Sequence, residues 1–188
     1  MNRDELMRWD ELELMREDAR RFIRDAKERK PDAQTVEGFC DYLEFVLCLV
    51  YAYGWKDAEE IVGIVPFVDG MDTAAVETVI AGKTFRERTV EQIDDLDLEG
   101  LLRVIDTEAH RDYNTGVWEA AKIGGATEKQ WHTMNDGRVR DTHDYLEGVV
   151  VGIDDAFYTY DGDSAMFPGG FTLPENNVNC RCWVTVVR

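Results

Sequence analysis

Two adjacent glycines, Gly124 and Gly125, divide the chain by texture. Upstream, apolar residues return every three or four positions, the period of a helix buried on one side. Downstream they come in short runs broken by Gly, Pro and Asn, which suits strands and loops. That division predicts an α+β protein: a mainly helical N-terminal region followed by a small C-terminal α+β unit with a short β-sheet. The 188 residues, 44% of them hydrophobic, are enough to bury a real core.

In the first half, Leu6, Trp9, Leu12, Met15, Ala19, Phe22 and Ala26 share one face of a helix over 4–29, and Pro31 ends it. Thr35 is placed to cap a second helix running to Tyr53, with Gly54 as its stop; apolar on most sides, that helix should be central. A short helix follows over 56–62, and another opens at Asp72 or Thr73 and ends near Gly82. The proline-free stretch 98–123 carries Leu101, Leu102, Ile105, Ala109, Tyr113, Val117, Ala120 and Ala121 on a broad stripe. It reads as one long helix in which Gly100 and Gly116 are the least suited residues. Beyond it, 129–134, 149–153 and 182–187 read as strands, and Asp136 is placed to cap a helix to Glu147 that Gly148 closes.

The formal net charge of -18 argues against a domain that grips nucleic-acid phosphates, because that task needs clustered Lys and Arg. Proximity to nucleic acid stays open, since an acidic surface would keep the polymer from adhering. The apolar run 45–53 falls far short of the ~20 residues of a membrane span. The charged N-terminus lacks the pattern of a secretory leader, so the sequence points to a protein made and kept in a cytoplasm. In that compartment four cysteines do not imply disulfides. Cys40 and Cys48 read as small buried hydrophobes.

Scarce residue types concentrate between Trp131 and Trp183. The chain presents, in order, Thr107 and Glu108 on the long helix, Gly124 with Gly125, Lys129 with Trp131 and Thr133, and Asp136 with Arg138, Arg140, Asp141 and His143. Leu146 with Gly148, Phe167 with Pro168, and Asn179 through Cys182 complete the series. This succession over 84–183 resembles the phage head morphogenesis family, the Mu F-like minor head or minor capsid proteins. The resemblance implies a helical arm and helical region over 1–83 and a Mu F-like domain over 84–188, with Trp131, Asp136, Arg138 and Arg140 as its structural motif. It also implies a non-enzymatic virion protein, made in the bacterial host cytoplasm and incorporated near the portal during head assembly, with portal and capsid proteins as partners. The stripe within residues 1–30 would then serve as a docking arm.

The same residues have a chemistry of their own. At helical spacing Asp136, Arg140, His143 and Glu147 share one face, and that face meets the loop returning Cys180 and Cys182. Two thiolates and an imidazole suit zinc, with His143, Cys180 and Cys182 as ligands and a fourth from His132, Asp136, Asp141 or water. In an extended strand, however, Cys-x-Cys spans ~6.6–6.8 Å. Sulfurs on one zinc lie only ~3.8 Å apart, so a bend at Arg181 is required. The alternative is a pair of packed, reduced thiols with His143 bonded to a backbone carbonyl. Arg138 and Arg140 read as partners of carboxylates, Trp131 and Trp183 as core, Glu108 as a helix-to-helix hydrogen-bonding group, and His110 as a surface or half-buried residue.

Two further classes compete. One is a zinc-dependent or Cys/His hydrolase-type enzyme, with Glu147 or Asp136 carrying protons. The other is a delivery or interaction domain of a phage-derived toxin. No Walker loop, Rossmann fingerprint, nucleophile elbow or deaminase signature is present to strengthen the enzyme reading.

Overall fold

Helices α3 (Ala33–Val62) and α6 (Leu98–Ile123) form the axis of the molecule and cross at near backbone contact. The computed structural model describes Met1 and residues 3–187. Asn2, within the expected arm, and Arg188, the last residue of the expected second unit, lie outside the described residues. Before α3 come α1 (Arg3–Leu6) and α2 (Asp10–Glu28); between α3 and α6 lie α4 (Met71–Val76) and α5 (Phe85–Asp94). After α6 follow β1 (Glu128–His132), α7 (Asp141–Asp144), β2 (Val150–Gly152), β3 (Phe157–Tyr158), β4 (Ser164–Ala165), α8 (Pro174–Asn177) and β5 (Trp183–Val187). The protein is α+β, with a helical N-terminal region and a small antiparallel sheet near the C-terminus.

Two glycines allow the crossing. A Cβ at Gly54 would sit 2.0 Å from the Tyr113 carbonyl oxygen, and one at Gly116 would sit 2.1 Å from that of Tyr51. Both glycines lie inside helices, where the residue costs about 1 kcal/mol relative to Ala, so it is the close approach that requires them. The same tyrosines tie the helices by their hydroxyls: Tyr113 donates to Asp57 at 2.5 Å and Tyr51 donates to Glu119. Gly54 is therefore not the stop the sequence suggested. Helix α3 absorbs the short helix expected over 56–62 and ends at Gly63, whose φ of +91° is open to glycine. Its cap is Asp32, which accepts from the Thr35 N–H at 2.8 Å, rather than Thr35 itself.

The apolar stripe of α2 is occupied within the fold. Leu6, Leu12, Met15, Ala19 and Ile23 are buried, Phe22 stacks on Phe39 with ring centroids 4.0 Å apart, and Arg16 reaches Asp106 of α6 at 2.7 Å. One hydrophobic core draws on this stripe and on the C-terminal sheet alike. A docking arm built on that face is thus corrected, because the face has already found its partner in α3 and α6.

From Thr107 to Val117 every residue of α6 is buried, so this helix is enclosed rather than amphipathic. The sheet, in strand order β2-β1-β5 and antiparallel throughout, packs β5 against it in a register that pairs Trp131 with Val184. The Val184 N–H donates to Asn114 of α6 at 3.2 Å. Among the described residues, no helix is long and apolar enough to cross a membrane.

Candidate functional site

The expected helix over 136–147 is only the single turn α7, with turns and bends on either side. The Asp136 carboxylate accepts from the Arg138 N–H at 3.0 Å and so fixes a bend instead of capping a helix. The shared polar face accordingly breaks up. Asp136 faces Arg181 at 2.8 Å and Arg138 at 3.4 Å, Glu147 accepts from the Thr133 N–H, and His143 alone turns into the core.

There His143 meets both cysteines. Its Nδ1 lies 3.6 Å from the Cys180 sulfur and 3.6 Å from the Cys182 sulfur. The ligand atoms of the three residues all fall within 4.8 Å of one another, and all three residues are buried. The spacing difficulty disappears because β5 begins at Trp183: both cysteines precede the strand, in a segment bent by the left-handed Asn179 (φ +57°) and by the Cys180 N–H donating to the Asn177 carbonyl at 3.0 Å. Arg181 points the other way, to Asp136 and to Asp4 at 3.2 Å.

Aromatic rings wall the cluster. The imidazole stacks on Phe171 with centroids 5.1 Å apart and meets Trp131 edge-on at 5.7 Å; Trp131 in turn packs against Phe157 at 5.0 Å. Phe171 is held by its backbone, since Asn177 accepts from its N–H at 3.0 Å and donates to its carbonyl at 2.6 Å. The loop behind it is gathered by Asp163, whose carboxylate accepts from the N–H groups of Ser164, Thr172 and Leu173 and from the Asn176 amide, at 2.9–3.1 Å.

The two thiols behave as one unit. Hydrogen bonding from Cys182 is the largest influence holding Cys180 well below the ordinary thiol range; burial opposes it, while His143 and the His110 charge reinforce it. Cys182 is pushed up, first by its bond to Cys180, then by burial and by the Cys180 charge. The Trp131 indole N–H lies near enough to favour a thiolate on Cys182, although no hydrogen bond of good geometry satisfies it. His143 Nε2 is likewise buried without a hydrogen-bond partner.

The other candidates sit elsewhere. His132 faces the opposite side of β1 from Trp131, bonds Thr185 at 2.7 Å and stacks on Trp183 at 5.3 Å. Asp141 is exposed, and Asp136 is engaged by arginines, so none of the three proposed fourth ligands joins the cluster. Arg140 donates to the Val178 carbonyl rather than to a carboxylate. His110, expected at or near the surface, is buried, and its Nε2 lies 2.6 Å from the Cys182 carbonyl oxygen. Glu108 does join helices, as half of an ion-pair network: it accepts from Arg88 of α5 at 2.7 Å and from Arg111 at 2.7 Å. Sequence reasoning missed His110 because an enclosed helix gives no polar face against which a buried histidine stands out.

Comparison with known proteins places this site in context. The chain is 34% identical over 107 residues to a protein of Enterococcus faecalis named NAD(+)–arginine ADP-ribosyltransferase EFV, covering 54% of this chain and 22% of that protein. It is 24% identical over 123 residues to Minor head protein GP7 of Bacillus phage SPP1, covering 63% of this chain and 40% of that one. The chain therefore matches less than half the length of either relative. No solved structure matches it. Residues 69–185, more than half of the chain and including the whole His143–Cys180–Cys182 cluster, match the family described as Phage Mu protein F like protein, and the chain belongs to that family.

Proposed function

We propose that this protein is a minor head component of a phage, incorporated during head morphogenesis close to the portal, with portal and capsid proteins as its partners and the virion as its location. The observation that carries the reading is the family match over 69–185, supported by the likeness to a phage minor head protein. A surface suited to assembly lies where α3 ends: Ile61, Ile64, Phe67 and Val68 are all exposed, Ile64 at 95%. Apolar side chains gathered on one short stretch favour burial against another protein. The Phe67 ring rests against Trp55 at 5.1 Å, so the stretch is anchored on the core.

The test is co-expression with the portal and capsid proteins of the same phage, followed by isolation of assembled heads. The chain is expected in those heads at low copy number, and a variant carrying Ile64→Asp and Val68→Asp is expected to be folded but largely left out. Absence of the unaltered chain from heads would refute the proposal.

The Enterococcus relative supports a second reading, in which the family's fold serves as a delivery or interaction module that other chains join to an enzymatic domain. Its favouring observation is that the likeness covers only 22% of that relative. In either reading this segment acts by binding rather than by turnover, and incubation with NAD is expected to leave the dinucleotide intact.

A further inference from the structure

The equal distances from one imidazole nitrogen to two sulfurs fit a shared ligand better than a hydrogen bond. A neutral imidazole nitrogen has one lone pair or one proton, and it cannot serve two thiols equally well. A zinc ion with Zn–S of about 2.3 Å and Zn–N of about 2.0–2.1 Å at tetrahedral angles separates nitrogen from sulfur by about 3.5–3.6 Å. The observed separations are 3.6 Å for both cysteines. We infer that His143 Nδ1 and the thiolates of Cys180 and Cys182 hold one structural zinc ion, with a water or hydroxide as fourth ligand. No other His, Cys, Asp or Glu side chain joins the group among the described residues.

Charge and enclosure favour this assignment. Two thiolates balance a divalent cation, so the complex with a neutral imidazole and water carries no net charge, which suits a pocket walled by Trp131 and Phe171. The Trp131 indole N–H beside Cys182 would donate to a metal-bound thiolate, a ready acceptor. His110 fixes the Cys182 carbonyl from α6 and sets that residue's backbone. Each of the three ligand residues is at most 2% exposed, which denies a substrate access to the open position. The ion is therefore a clamp rather than a catalyst: it fastens α7 to the segment entering β5, a chain separation of nearly forty residues. The inference does not depend on the head-assembly reading.

The full chain is purified without chelator under reducing conditions and its metal measured by mass spectrometry; near one zinc per chain is expected. The protein is then stripped and titrated with Co(II). A sulfur-to-cobalt charge-transfer band with visible bands of tetrahedral intensity supports the site, whatever the zinc content as purified, and absence of that band from folded protein overturns it. Cys180→Ser and Cys182→Ser should each abolish or weaken the band, while Cys48→Ser should leave it unchanged; a full band in both cluster variants would equally overturn the assignment. Should those variants fail to fold, the unaltered protein decides: chelation should lower its melting temperature and added zinc restore it, and a melt indifferent to both counts against the clamp.

Discussion

Gly54 meets the carbonyl oxygen of Tyr113 across the α3–α6 crossing so closely that a methyl group in its place would lie 2.0 Å from that oxygen. The obstacle is backbone, so relief requires the helices to separate. Gly54→Ala gains about 1 kcal/mol of helix propensity but is expected to lose more through overpacking, which typically costs about 1–3 kcal/mol and here falls at the upper end. Gly116→Ala should behave alike. Denaturant unfolding reads both; a raised midpoint for either would contradict the close approach.

Glu108 sits fully buried between Arg88 and Arg111. Removing it leaves Arg88 without its carboxylate, while Arg111 keeps Asp112 at 2.9 Å, and breaking such a buried pair from one side costs about 3–5 kcal/mol. Glu108→Ala should therefore be severely destabilised, whereas Glu108→Leu combined with Arg88→Met should lose less than the sum of the single changes. Additive losses would show that the two residues do not act together.

Asp163 offers a test in acid. Burial pushes its carboxyl up, but the hydrogen bonds from Asn176 and from the N–H groups of Leu173, Ser164 and Thr172 together hold it below the ordinary value of 3.8. The folded state thus binds this proton less tightly than the unfolded chain. The contribution of these hydrogen bonds to stability is complete above pH 3.8 and is lost as pH falls below that value through the folded-state pKa. Asp163→Asn should weaken the protein at neutral pH by about 1.5–3 kcal/mol, the usual worth of hydrogen bonds to a charged group. The variant should also lose stability less steeply than the parent below pH 4, and parallel acid titrations of the two would disprove the assignment.

Arg138 and Arg140, two residues apart, should respond differently. Arg138 is 73% exposed and, among the described residues, pairs only with nearby Asp136, so Arg138→Ala should leave the melting temperature unchanged. Arg140 holds the Val178 carbonyl just before the bend at Asn179, and Arg140→Ala should cost about 1.5–3 kcal/mol. Thermal unfolding of the two variants side by side suffices, and equal melts would refute the distinction.

The long helix α6 was legible from end to end, because a proline-free apolar stripe ends at a glycine pair; its cap, Asp97, which accepts from the Gly100 N–H, was not singled out. Helix α3 was not, since Gly54 serves a helix crossing that no local pattern announces. Helix α5 was overlooked although Thr84 and Glu87 form a capping box, a signal carried by two residues in a strongly charged stretch. The candidate ligands His143, Cys180 and Cys182 were named from residue chemistry, and the fold brings the three together. The route proposed for it, one polar helix face meeting an extended strand, was incorrect on both sides: turns at 135–140 break the helix, and the cysteines lie ahead of β5. What failed was periodicity applied to segments too short and irregular to have a period.

Between Cys180 and Cys182 the chain alternates inward, outward, inward, with Arg181 directed to Asp4 and Asp136 on the far side. A one-residue insertion or deletion within this stretch would reverse the alternation, sending a guanidinium into an aromatic pocket and a thiol to the surface. Its length is consequently less free to vary during descent than many of the side chains around it, and frame-preserving edits made by engineers should avoid the six positions from Asn177 to Cys182.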